Sequence, residues 1–385
     1  MRHRARFQLA EAEDGAEKVV GEENDDRTRQ HSCVPALCHC SRSRRRGCCL
    51  LTSLSLTALV SLLLAVLVRG FTLTPRYTRL PLPSGPPLLL PSPATRLAWA
   101  ETLAAAIKIP TVSRGPGDQD EEEILRLHQH LRTSFPEVFS SDKVEVHYPG
   151  GGLSILLRVA GSVAGSRPVL LAAHLDVVPA GEEERWQLPA FLGQVVQEAG
   201  QDWVWGRGAI DDKHSLVGIL TALAAILRTG PPARTLYVAL GHDEEVGGKA
   251  GAGTIAPVLA GLLDQHGEQL EFILDEGMFV MSGVVPGVQD PVIYLGVVEK
   301  GWAMVELSAT GEQRHSSTPP RQSAIGRLAR AVSRLEQHRS PAQFGRGPEH
   351  DTMEYLAPFA TTLLRLVLGN LWLFSQVRVV CWTVR

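Results

Sequence analysis

Residues 169–178, VLLAAHLDVV, and residues 235–248, TLYVALGHDEEVGG, decide the fold. Each is an apolar run of strand length that breaks at its carboxyl end into imidazole and carboxylate side chains. The first ends in His174 and Asp176, the second in His242, Asp243, Glu244 and Glu245. A third run, 271–277 (EFILDEG), ends in Asp275 and Glu276, and WGRGAIDDK at 205–213 sets Asp211 and Asp212 just ahead of a helical pattern. One His or Asp at a strand end is usually a hydrogen-bonded loop residue. Four such clusters after apolar strands are hard to explain as solvated surface, because open parallel sheets gather functional groups at the carboxyl ends of their strands.

Outward from these runs, periodicity predicts helices at 96–107, 121–131, 215–227 and 253–266. Strands are expected at 143–147, 153–159, 169–173, 203–205, 235–240 and 271–274. Strands alternating with helices of this length imply an α/β fold, a mostly parallel sheet with helices on both faces. After Glu299 the pattern changes to a strand at 303–307 and a helix at 323–335, the opening of a smaller α+β domain. The expected organisation is a basic segment (1–46), an apolar segment (47–69), a proline-rich linker (70–94), a metal-binding catalytic domain (95–298) and a partial lid or dimerisation domain (299–385).

The net charge of -3 offers no electrostatic footprint for DNA or RNA. Nucleic acid is therefore not an expected partner. Five of the six cysteines (Cys33, Cys38, Cys40, Cys48, Cys49) lie in the first 50 residues and Cys381 lies near the end, so no disulfide framework supports the main fold. The run Cys33, Cys38, His39, Cys40 fits no standard zinc-ligand spacing. Between Gly47 and Val68 the sequence is apolar and uncharged, near the ~20 residues a spanning helix needs. Arg42, Arg44, Arg45 and Arg46 precede it, so the positive-inside rule keeps the amino terminus cytoplasmic. The segment reads as a signal anchor or signal peptide that commits everything downstream to the secretory pathway, lumenal or extracellular. Membrane contact is expected only through it.

Imidazole and carboxylate are zinc ligands, and catalytic zinc sites keep a position for water. Two ions need a bridging carboxylate, for which Asp211 is placed, and an acidified water needs a carboxylate to collect its proton. The adjacent Glu244 and Glu245 can divide those tasks, one on metal and one facing water. The spacing His174-Leu175-Asp176 lets a carboxylate hold the other imidazole nitrogen.

HLDVVPA (174–180), Trp186 with the nearby PAF, GRGAIDDK, GHDEEVGG, LDEG and HSSTPP (315–320) together resemble the successive motifs of the aminoacylase/carboxypeptidase family of dizinc exopeptidases. The resemblance implies that His174, Asp211, Glu245 and Glu276 ligate Zn2+, two ions per complete site, with Asp275 as the alternative to Glu276. It implies that Asp211 bridges the ions through a cis peptide to Asp212, that Asp176 is a supporting catalytic acid, and that Glu244 is the general base. His315 resembles a small-domain histidine that reaches a partner subunit's active site, which implies a homodimer through the lid; Arg314 stands where that pattern has glycine. Asp212 and Lys213 read as caps of the following helix, Gly206 and Gly208 as turn formers, His242 and Asp243 as structural, and Trp186, Trp203 and Trp205 as packing residues.

The resemblance also implies a last zinc-ligating histidine far toward the carboxyl terminus. Beyond His315 the sequence has only His338 and His350, neither in a matching motif. The expected function is zinc-dependent hydrolysis, and formation in reverse, of the amide bond of N-acyl amino acids, with fatty acyl chains favoured. A dizinc carboxypeptidase or dipeptidase is one alternative, and a truncated, catalytically impaired product is another.

Overall fold

The computed structural model describes residues 5–6, 42–74, 91–198, 200–277, 280–285, 287–299, 301, 304–338 and 347–374. The Cys33–Cys40 run, most of the proline-rich linker and Cys381 lie outside them. The chain divides into two compact units, one of Pro83–Gly277 and one combining Met1–Leu82 with Met278–Arg385.

The first unit is built on one sheet of β1 (Val144–His147), β2 (Ile155–Val159), β3 (Val169–His174), β4 (Leu236–Gly241) and β5 (Phe272–Leu274), in the order β5-β3-β4-β2-β1. β5, β3 and β4 are parallel, whereas β2 runs antiparallel to both of its neighbours. The α/β class stands, with a mixed sheet in which β2 alone is reversed. A parallel neighbour needs a crossover of a dozen or more residues, and the connection 148–154 has no room for one.

Both faces carry helices: α1 (Pro93–Ile107), α2 (Glu121–Ser134), α3 (Lys213–Thr229) and α4 (Ala252–His266). Side chains alternate across a strand, so successive residues of β2 serve opposite layers. Ile155, Leu157 and Val159 pack with Val238 and Leu240 under Ile124, Leu127 and Leu131 of α2 and Leu216, Leu220 and Leu223 of α3. Leu156, with Leu170, Tyr237 and Ala239, packs under Ile255, Leu259 and Leu262 of α4. Arg158 shares that second face, and its buried guanidinium is paired: Nη1 lies 2.6 Å from Glu145 Oε1, and Nε donates to the Tyr237 hydroxyl at 3.2 Å. β5 closes one edge of the sheet, and Phe272, Ile273 and Leu274 are all exposed.

α1 begins earlier than periodicity indicates, because Pro93 suits a first helical position and the Ser92 Oγ accepts the Thr95 N–H at 3.1 Å. A strand at Gln194–Glu198, absent from the sequence reading, pairs antiparallel with Gln201–Trp205. Trp203 in that hairpin is 52% exposed, so it is not a packing residue.

In the second unit a single helix spans Arg42–Thr72, and its segment Ser53–Thr72, with a mean hydropathy of 2.1, is long and apolar enough to cross a membrane by length and composition. The carbonyls at its last turn are met by the Arg365 guanidinium, through Nε to Gly70 O at 2.8 Å and Nη2 to Phe71 O at 3.2 Å. Asn370 Nδ2 donates to Val66 O at 3.0 Å, and Arg69 pairs with Glu354. Terminal helix carbonyls have no partner within the helix, which is why a cation is useful there. Further helices among the described residues include Ala324–Gln337, Pro348–Leu356 and Thr362–Leu368, and the strand expected at 303–307 is Val305–Glu306.

Leu157 is fully buried between β2 and the α2–α3 layer. Leu157→Ala is expected to destabilise the protein by about 2–5 kcal/mol, read by urea unfolding; a loss well below that range would place the packing elsewhere.

Candidate metal centre

Register brings the site together. His174 lies opposite Gly241 in the parallel β3–β4 pair, so the end of β3 faces the start of the 242–245 turn. Leu274 lies opposite Leu171, which carries Asp275 and Glu276 out beyond the same end of the sheet. Asp211 and Asp212 arrive from the loop ahead of α3, joined by a cis peptide. Gly206 and Gly208 in that loop have φ of 141° and 84°, and a Cβ on Gly208 would come within 2.7 Å of Val177. That loop tolerates only glycine at these positions.

His174 Nε2 lies 2.9 Å from Asp211 Oδ1 and 3.3 Å from Glu276 Oε2. These three residues can offer ligand atoms all within 4.8 Å of one another, the one such cluster among the described residues. Behind the ring, Nδ1 donates to the Asp176 carbonyl at 2.9 Å, with Asp176 Oδ1 at 3.3 Å. The fully buried Asp176 carboxylate accepts the Glu244 N–H at 3.1 Å and the Glu245 N–H at 3.3 Å. Glu245 Oε1 accepts the Val178 N–H at 3.2 Å, and Glu245 is not one of the three clustered residues. Asp275 points its carboxylate back to the Glu276 N–H at 2.9 Å.

Burial would raise Asp176, but the hydrogen bond from His174 and that ring's positive charge outweigh it and hold the carboxyl below its ordinary value. Burial would likewise depress His174, yet Asp176, Asp212 and Glu276 pull its pKa up to about 10. Glu276 is pushed up to about 7, first by burial and then by the crowding of Asp212, Glu244 and Asp211. Burial also raises Glu244 and Glu245, with Asp211 adding repulsion to both. Carboxylates that push one another toward neutrality around a single imidazole edge form a site that a cation relieves. The donor set, one imidazole nitrogen with carboxylate oxygens, is one that zinc accepts, so the residues fit a bound metal.

Several neighbours differ from the sequence reading. Asp212 makes no side-chain cap to α3; its buried Oδ2 accepts the His174 backbone N–H at 3.2 Å and so holds the end of β3. Lys213 is also no cap of α3. Its fully buried ammonium donates to Ala106 O at 3.0 Å and Ile109 O at 2.6 Å, serving the carboxyl end of α1, and burial lowers its pKa to about 7. The signal for both was the unbroken DDK triplet, but nothing in the sequence names those partners. His242 and Asp243 have structural contacts: His242 Nδ1 lies 2.7 Å from Ser154 Oγ, and Asp243 accepts the N–H groups of Ala250 and Gly251, each at 2.7 Å. His315 belongs to the second unit, where it is exposed, its Nδ1 lies 2.8 Å from Ser317 Oγ, and the preceding Arg314 pairs with Glu312. His338 and His350 lie in that unit too.

The model of peptidase family M20/M25/M40 matches residues 170–370, just over half of the 385. The chain belongs to that family. It is therefore a member of a metallopeptidase family, which implies metal ions. It is 44% identical over 287 residues to an N-fatty-acyl-amino acid synthase/hydrolase of Danio rerio, covering 74% of this chain and 54% of that protein. The Homo sapiens protein of the same description is 37% identical over 283 residues, covering 73% of this chain and 54% of its own length. Carboxypeptidase S of Saccharomyces cerevisiae is 32% identical over 259 residues, covering 64% and 43%. The chain thus spans about half the length of the curated relatives it matches.

In the metal-free protein, ionising Glu276 opposes folding, because its folded pKa of about 7 lies above the ordinary 4.5. Metal-free Glu276→Gln is therefore expected to gain stability relative to metal-free wild type as pH rises from 4.5 to 7, levelling above 7. Paired thermal melts across that range measure it, and a pH-independent difference would contradict the crowded-carboxylate account.

Proposed function

We propose that this chain carries the catalytic unit of a zinc-dependent amidohydrolase that cleaves, and in reverse forms, the amide bond of N-acyl amino acids bearing a fatty acyl chain. The convergence of His174 Nε2, Asp211 Oδ1 and Glu276 Oε2 supports this reading most. His174, Glu245 and Glu276 would hold the ions, and Asp211 would serve both. Bound there, a pair of zinc ions supplies an acidified water and an electrophile for the amide carbonyl.

The chain's own residues do the rest. Asp176, anchored by the backbone of Glu244 and Glu245, keeps the His174 ring oriented with Nε2 toward Asp211 and Glu276, where a metal would be held. Glu244 takes the proton of the attacking water on its carboxylate and delivers it to the departing amine. Burial raises its pKa, which strengthens it as a base. His315 steadies the oxyanion, contributed across a homodimer formed through the second unit. Amide formation uses the same groups in reverse order, since one transition state serves both directions. The unit Pro83–Gly277 is assigned the chemistry, and residues 299–385 the lid and pairing role. Ser53–Thr72 is assigned to secretory targeting, with the enzyme lumenal or extracellular. The likeness to carboxypeptidase S favours a second reading, release of a carboxyl-terminal residue from peptides, which uses the same metal groups.

Glu244→Gln is expected to lower hydrolysis of an N-acyl amino acid by about 100- to 10,000-fold, the range for removal of a general base, with zinc content unchanged. Retained activity would reject Glu244 as the base. Faster cleavage of peptides than of N-fatty-acyl amino acids would favour the second reading.

A further inference from the structure

A groove of about 420 Å³ runs along the outer side of α1 and α3, lined mainly by Trp99 and Leu103 of the first and His214, Gly218, Thr221 and Ala222 of the second. That volume is in the ~300–1,000 Å³ range of small-molecule sites, and the lining is almost wholly apolar. Trp99 is exposed there. Gly218 sits in mid-helix, where glycine weakens the helix relative to alanine. A Cβ at this position would meet nothing within 4 Å, so packing does not demand the glycine. Its effect is to leave the groove floor open.

One end of the groove reaches the start of α3, directly after the loop that carries Asp211 and Asp212. His214 stands in the first turn of α3, its Nδ1 3.8 Å from Asp212 Oδ1, and the other Asp212 oxygen accepts the backbone N–H of His174. An apolar trough that starts three residues past Asp211 suits a substrate whose polar head reacts at the metal and whose tail is an uncharged flexible chain. We propose that this groove holds the acyl chain of the substrate, which enters past His214 from the side of Asp211 and runs with its terminal methyl toward Ala222. The proposal rests on the N-acyl amino acid reading above, and it adds the place where the chain lies.

The test uses the full chain, metal-free, and an N-acyl amino acid carrying a diazirine at the end of its acyl chain. After irradiation and digestion, label is expected in 96–107 and 213–229. Occupancy should strengthen with chain length by up to about fourfold per buried methylene. Gly218→Phe, which fills the floor, is expected to reduce the label at least tenfold, and Ala222→Phe gives the same readout should the first variant fold poorly. Gly218→Ala, adding one methyl group, is expected to keep it. Label elsewhere, no label, or label in both Phe variants equal to wild type would overturn the proposal. Because the metal-free chain is used, the outcome does not depend on hydrolysis. A zinc-loaded chain that is labelled in the groove yet cleaves no N-acyl amino acid would instead remove the functional reading.

Discussion

The buried carboxylate of Asp176 is the contact on which the rest of the site depends. It sits just past β3, accepts two backbone N–H groups from the turn after β4, and backs the ring of His174. A fully buried carboxylate is costly unless it is hydrogen-bonded and paired, and here both conditions hold. Remove it and the two strand ends lose their tie, the imidazole loses its orientation, and the Glu244–Glu245 turn loses its anchor. Asp212 plays the matching part from the other side, fixing the backbone of His174 from the loop before α3. Two buried carboxylates thus hold the ring and backbone of His174 behind the His174–Asp211–Glu276 cluster without joining it.

This division accounts for the electrostatics. The inner carboxylates are held by the backbone, whereas Asp211 and Glu276 are partly exposed and crowd the same imidazole edge. Charge of one sign accumulates where the sheet ends, and Glu276 responds by taking up a proton near neutral pH. A cation at this cluster would reverse that response, coupling its binding to the ionisation of these carboxylates.

Much of this was legible in the sequence because apolar strands and polar strand ends are written in adjacent residues. VLLAAHLD and LYVALGHDEE mark β3, β4 and the polar residues at their ends, and parallel register sets those ends side by side. What escaped the reading depends on partners far along the chain. Lys213 looked like a cap of its own helix, yet its ammonium serves α1, more than a hundred residues earlier. β2 reverses because its connection to β1 is short, a fact about a loop and not about strand composition. The strand Gln194–Glu198 is half polar and exists because Gln201–Trp205 folds back on it. Trp203 has the size and apolarity of a packing residue, but a two-stranded hairpin leaves one of its faces to solvent.

Zinc content of the purified full chain, compared with His174→Ala and Asp211→Ala, is the most direct measurement of whether these side chains share a metal. Wild type is expected to bind zinc, and each variant to lose at least one ion while its far-ultraviolet circular dichroism stays unchanged. Full zinc retention in both variants would contradict the account.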